Sequence, residues 1–253
     1  MGYENESELA ALLGVDSVGI SVITHNNIMA TKFFLNNLLK ATNGYAKLYI
    51  YDYDSDDKLL VDYLKTFCEE NDAVFRQVKK MKLASLYNLI LKEVKQDYLA
   101  LTPIHTLLQD GWLIELLYHY KNIENSGCVS IRNQHDEVSL SSVLFKNAVK
   151  DEDEMRLVYF KNPNVVDSMM FFKKSRLETV GYFDENFNHD GYIFNEFSFR
   201  FMLNGYINYM VKNVVSVKTY LEDDVLSPKK LKDGSNALKN EINEMVKQHI
   251  FKK

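Results

Sequence analysis

The chain of 253 residues is 46% hydrophobic and 26% charged, with a formal net charge of −5 at pH 7. That balance suits a globular protein with one sizeable core and argues against nucleic-acid binding through overall field alone. No apolar run approaches the roughly 18 residues of a membrane span, no basic-then-apolar leader opens the chain, and Cys68 and Cys128 lack any paired spacing. A reducing, cytoplasmic location without a membrane span is the expectation.

Residues 1–17 read as an acidic N-terminal extension whose short helical pattern, Glu8–Leu13, ends at Gly14. The main domain, residues 18–222, opens on Val18–Ile23, an apolar run too short for a helix and rich in β-branched residues, hence a buried strand. Thr24-His25-Asn26-Asn27 breaks it. Met29–Ala41 then places Phe33, Phe34, Leu38 and Leu39 about one turn apart, and Asn43-Gly44 stops that helix. Ala46–Tyr51 is a second strand, running into Asp52-Tyr53-Asp54-Ser55-Asp56-Asp57. Right-handed crossover makes the two strands parallel neighbours. Open sheets of this kind hold ligands beyond the carboxyl ends of their strands, which is where these polar turns fall.

Further along, Lys58–Glu70, Leu83–Lys95 and Gln109–Tyr120 read as helices, alternating with strands Ala73–Val78, Asp97–Thr102 and Cys128–Ile131. Such alternation predicts a doubly wound α/β half. After Arg132 the pattern becomes mixed. Strands are expected at Ser141–Phe145, Arg156–Phe160, Ser168–Phe172, Ile207–Val211 and Val214–Val217, and helices at Lys174–Val180 and Phe194–Leu203. Residues 223–253 form a lysine-rich tail with an amphipathic helix, Ala237–Ile250, that caps the domain or joins a partner, a second copy of the chain included. The predicted class is α/β, with a mainly parallel central sheet flanked by helices, a mixed C-terminal half and a C-terminal helix.

Order and spacing of these pieces resembles the family 2 glycosyltransferases with the GT-A fold. The first turn, Thr24-His25-Asn26-Asn27, stands for the family's Pro-Thr-Tyr-Asn. Asp52-Tyr53-Asp54-Ser55-Asp56-Asp57 stands for Asp-Asn-Gly-Ser-Thr-Asp, and Asn88 for the Asn of a later helix. Gly111-Trp112-Leu113, Val180-Gly181-Tyr182-Phe183-Asp184-Glu185-Asn186-Phe187, and Glu196 to Arg200 followed by Gly205-Tyr206 complete the series. The resemblance implies a nucleotide-sugar ligand, a UDP-sugar first among the candidates, with the acceptor unspecified. Thr24, His25, Asn26, Asp52, Ser55, Asn88 and His105 would bind the donor, carboxylate to base or ribose being a charge-assisted hydrogen bond. For Asp56 and Asp57 a solvated turn and helix cap is preferred over ligand binding.

Two family motifs are altered. The Asp-x-Asp that holds Mn²⁺ or Mg²⁺ falls on Pro103-Ile104-His105, which offers no carboxylate. A hard cation wants oxygen ligands, so no metal cofactor is expected; Mn²⁺ through His105 is the disfavoured alternative. Lys218, or Lys79, Lys80 and Lys82, would then face the diphosphate. The acidic motif ahead of Arg200 falls on Ile193-Phe194-Asn195-Glu196, leaving Glu196, or Asp190 beside His189, as the base that takes the acceptor proton. Glu196 and Arg200 also have the i,i+4 spacing of a simple helical ion pair. Two classes of function stay open: a transferase working without the usual metal, and a GT-A-like component that binds or assembles without chemistry.

Overall fold

A computed structural model describes residues 14, 17–104, 106–133, 148–150, 158–161, 169–187, 190–218, 240, 243 and 244. Expected elements Glu8–Leu13 and Ser141–Phe145 lie outside these residues, as does Ala237–Ile250 except for Asn240, Asn243 and Glu244, which are helical. The strands are β1 Val18–Thr24, β2 Lys47–Tyr53, β3 Val74–Val78, β4 Tyr98–Pro103, β5 Thr106–Leu108, β6 Ser126–Asn133, β7 Ala148–Lys150, β8 Val158–Lys161, β9 Met170–Lys173 and β10 Ile207–Lys218. They form one sheet in the order β3-β2-β1-β4-β9-β6-β10-β8-β7, with β5 pairing β10.

The leading four strands are parallel, as their sequence pattern predicts. Helices Ile28–Thr42, Lys58–Glu70 and Leu83–Glu93 make their crossovers. Local chemistry sets the boundaries. Asn27 caps the first helix through a bond from the Ala30 amide, and Asn43 ends it in the left-handed region at φ 50°. Asp57 caps the second helix by accepting from the Leu59 and Leu60 amides.

Past β4 the sheet departs from the doubly wound expectation. β6 does not lie beside β4. Strand β9 enters between them, antiparallel to both, with Leu99 opposite Phe172 and Val129 opposite Phe171. Met170, Phe171 and Phe172 are all fully buried, so this strand is apolar on both faces and only an interior position covers it. The two short strands expected at the end of the domain are one, β10, whose register against β6 shifts between Val211 and Val215 around polar Lys212-Asn213. The three-residue β5 gave no sequence signal; it is held by Asn37, whose side chain bonds both the amide and the carbonyl of Leu108.

Two apolar layers cover the sheet. On one face Val18, Ile20, Val22, Leu48, Ile50 and Ala100 meet Phe34, Leu35 and Leu38 of the first helix, Leu60 and Leu64 of the second, and Trp112 and Leu116 of helix Trp112–Asn122. On the other, Tyr49, Tyr51, Leu99, Leu101 and Phe172 meet Leu86 and Ile90, together with Phe197 and Phe201 of helix Ile193–Leu203. Each fully buried side chain of this kind contributes roughly 1.5–3 kcal/mol relative to exposure. Gly19 is where a helix end comes closest: a Cβ there would lie 2.4 Å from Val94 Cγ1.

A candidate nucleotide site at the carboxyl edge

Strands β1 to β4 run parallel, and β6 recovers the same direction through the antiparallel β9. Their carboxyl ends therefore share one edge. The turn after Thr24, the turn after Tyr53 and the lysine-bearing segment after Val78 all lie there.

The first two turns are stapled together. The Asn26 amide donates to Ser55 Oγ (2.9 Å), and Asn26 Oδ1 accepts from the amides of Asp56 (2.8 Å) and Asp57 (3.3 Å). His25 Nδ1 lies 2.6 Å from the Tyr53 carbonyl oxygen, so it carries the proton it donates; Nε2 then accepts from Asn26 Nδ2 at 3.3 Å. The Tyr53 hydroxyl bonds the carbonyl of Met81 and accepts from its amide at 3.2 Å, tying the second turn to the loop after β3. Asn26 (φ 45°) and Asp54 (φ 52°) are left-handed, a conformation that Asn and Asp tolerate. Asp54 stands where the resembled motif has glycine, and this backbone is the reason.

Beneath the turns lies a group of buried polar atoms. Thr24 and Asp52 are paired in register on β1 and β2. Strand alternation puts both, with Thr102, on the face of Val22, Ile50 and Ala100, under the opening turns of helix Ile28–Thr42. Thr24, Thr31 and Asp52 are completely buried and Thr102 nearly so. Their hydroxyl oxygens, both Asp52 carboxylate oxygens and the indole N–H of buried Trp112 have no hydrogen-bond partner among the described residues. Buried polar atoms are nearly always paired, so each such group calls for a reason.

A second network occupies the opposite face. Asn88 Nδ2 donates to the Phe183 carbonyl (3.0 Å) and to Glu185 Oε1 (3.0 Å), while its Oδ1 accepts from the Phe183 amide (2.8 Å). Hydrogen bonds from Asn88 and then Ser85 hold the exposed Glu185 carboxyl below its ordinary range. Lys82 donates to the Glu185 carbonyl at 2.9 Å. Glu196 is 1% exposed and faces Arg200: Nη2 donates to Oε2 at 3.0 Å, and Nε lies 2.8 Å from Oε1 at an angle too bent for a hydrogen bond. Asp190 is exposed, in the short turn Asp190–Tyr192. The Tyr87 phenol is raised by burial first and by the Asp190 charge second.

The structure thus brings Thr24, His25, Asn26, Asp52 and Ser55 together at one place. It puts Asn88 and Glu196 in the other network, on the far face of the sheet. His105 lies outside the described residues. At the end of β4, Pro103 and Ile104 have no side-chain ligand atoms, and among the described residues no three His, Cys, Asp or Glu converge as metal ligands. Pro103 and Ile104 therefore supply no side-chain ligand to a hard divalent ion. Sequence reading missed Thr31, Thr102 and Trp112 as members of the buried polar group. Each sits at an apolar-looking position, and only the pairing of strands and helices unites them.

No family model and no curated protein matches the chain. Solved structures do. GalNAc-T7 with UDP, GalNAc and Mn²⁺ superposes with a TM-score of 0.63 at 11% identity, over 80% of this chain and 44% of that one. The mannosyltransferase PcManGT of Pyrobaculum calidifontis, in complex with GDP-Man and Mn²⁺, gives 0.61 at 15% identity, over 87% and 68%. S. aureus TarS 1–349 in complex with UDP-GlcNAc gives 0.62 at 13% identity, over 88% and 66%. This chain spans less than half the length of GalNAc-T7 and about two thirds of the other two. The fold is that of the GT-A glycosyltransferases. No helix among the described residues is long and apolar enough to cross a membrane.

Proposed function

We propose that the protein binds a nucleoside-diphosphate sugar, a UDP-sugar first, at the carboxyl edge of β1, β2 and β4, and transfers the sugar without a divalent ion. The observation that carries this reading is the buried, unpartnered set Thr24, Asp52 and Thr102, placed under stapled turns in a fold whose solved relatives hold UDP, UDP-GlcNAc and GDP-Man. Groups kept without internal partners at a stability cost are what a ligand-recognition site requires. Asp52, covered by the turns in the ligand-free protein, accepts from base or ribose donors once those turns admit the nucleotide, and His25, Asn26 and Ser55 form the rim. Lys79 and Lys80, both exposed on the loop after β3, supply positive charge for the diphosphate. Of the two candidate bases this reading takes Asp190, which is exposed, over Glu196, which is buried against Arg200.

A component without chemistry is the second reading, and a specific observation favours it. The positions aligned with the acidic base motif, Ile193 and Phe194, are apolar and buried. A thermal-shift screen of UDP-, GDP- and TDP-sugars, followed by transfer assays with and without EDTA, separates the readings. Donor stabilisation with turnover supports the transferase, and donor stabilisation without turnover supports the binding component. No stabilisation by any nucleotide sugar overturns both.

A further inference from the structure

The loop at residues 181–187 is gripped from two helices at once. Arg200 Nη1 donates to the carbonyls of Val180 (3.2 Å) and Tyr182 (2.6 Å), and the same guanidinium is held by buried Glu196. From the other side Asn88 bonds both the amide and the carbonyl of Phe183, and Lys82 holds the carbonyl of Glu185. Gly181 makes the entry possible: its φ of +83° favours glycine, and Arg200 Nη1 lies 3.7 Å from where a Cβ would be. The loop in turn sets an aromatic group. Phe183 stacks on Phe197 with centroids 4.0 Å apart and on Tyr87 at 5.1 Å, and Tyr87 packs on Phe194 at 5.0 Å. The Asp190–Tyr192 turn leads directly into the helix that carries Phe194.

Glu196 is poorly placed to take a proton from an acceptor. Its carboxylate is committed to Arg200 and almost wholly removed from solvent. Asn88 has both ends of its amide engaged by the loop, which leaves little for a nucleotide. We propose that Glu196, Arg200 and Asn88 are positioning residues: together they brace the loop at 181–187 and, through Phe183, Tyr87 and Phe194, hold the start of the helix that the Asp190 turn leads into. The part concerning proton transfer rests on the transferase reading; the brace itself does not.

Amide hydrogen exchange of the full chain tests it without any substrate. In Glu196→Ala and in Asn88→Ala the Phe183 amide should exchange about tenfold faster, while the Ile20 and Ile50 amides of the sheet stay protected. Glu196→Gln keeps the shape and one acceptor oxygen, and should retain most of the wild-type protection. If Glu196→Ala does not fold, Arg200→Lys takes its place, since an ammonium cannot reach both loop carbonyls and the carboxylate together. Unchanged Phe183 exchange in Glu196→Ala, or in Arg200→Lys where that replaces it, overturns the brace. In a transfer assay Glu196→Gln should keep more than about a tenth of kcat, whereas a loss of roughly a hundredfold or more marks a general base and overturns the assignment. Failure of the nucleotide reading shows separately, as absent donor stabilisation in the wild-type protein.

Discussion

Replacing Asp52 by Asn should make the ligand-free protein more stable. Both carboxylate oxygens of Asp52 are buried without a hydrogen-bond partner among the described residues, and the side chain is completely covered. An unsatisfied buried acceptor costs about 1–3 kcal/mol, and a charged one more. Asn has the same shape, carries no charge, and its Nδ2 can donate towards Thr24, the register partner of Asp52. A gain of about 1–3 kcal/mol is expected. For a chain of this length that is a melting temperature higher by roughly 2–10 °C. Urea denaturation and calorimetry of wild type, Asp52→Asn and Asp52→Ala measure it, the alanine variant reporting the cost of the space left behind. Since donor at a hundred times its Kd adds about 2.7 kcal/mol to a binding-competent protein, the same melts with UDP-sugar should show that increment in wild type alone. An Asp52→Asn protein less stable than wild type by 1 kcal/mol or more, a figure on the scale of one hydrogen bond, would refute the reasoning: the carboxylate would then be paired in the native molecule.

Asn26→Ala removes the acceptor for the Asp56 and Asp57 amides and puts alanine at φ 45°, so a loss of about 2–4 kcal/mol is expected in urea denaturation. Asn26→Gly, which relieves the backbone, should recover about 1 kcal/mol of that. Glu185 is held below its ordinary value of 4.5, so its contribution is complete above that pH and is lost as the pH falls through the lower folded value. The protection factor of the Phe183 amide, taken against its intrinsic rate at each pH, should fall in that acid range, and Glu185→Gln should remove the pH step. Transfer, where measured, should change by less than about twofold in EDTA and in His105→Ala, because Pro103 and Ile104 provide no ligand for a hard cation; full inhibition by EDTA reversed by Mn²⁺ contradicts this.

Much of the fold was legible because the parallel half obeys local rules. Val18–Ile23 and Ala46–Tyr51 are short apolar runs separated by one amphipathic helix, and a right-handed crossover lays the Phe34–Leu38 stripe over both strands. The insertion of β9 was not legible. Met169 to Phe172 looks the same in sequence whether the strand is central or beside its chain neighbour, and its place is set by pairing with β4 and β6, far away in the chain. Site residues divide similarly. Asp57 announced itself through capping chemistry, and it accepts from the Leu59 amide; Asn26 was named from the resemblance as a donor-binding residue, and its Oδ1 accepts from the Asp56 and Asp57 amides, a task no local pattern announced. The dual engagement of Asn88 and the grip of Arg200 on Val180 and Tyr182 depend on contacts 95 and about 20 residues apart, which periodicity cannot carry.

The central claim is that the carboxyl edge over Thr24 and Asp52 receives a nucleotide sugar. Isothermal titration of UDP-GlcNAc, UDP-Gal, UDP-Glc and GDP-Man into the full chain, with EDTA present, tests it most directly when wild type and Asp52→Ala are run side by side. Saturable heat with at least one nucleotide sugar in wild type, lost in a folded Asp52→Ala protein, is the predicted result. Binding of equal strength in both proteins, or none to wild type with or without Mn²⁺, would contradict it.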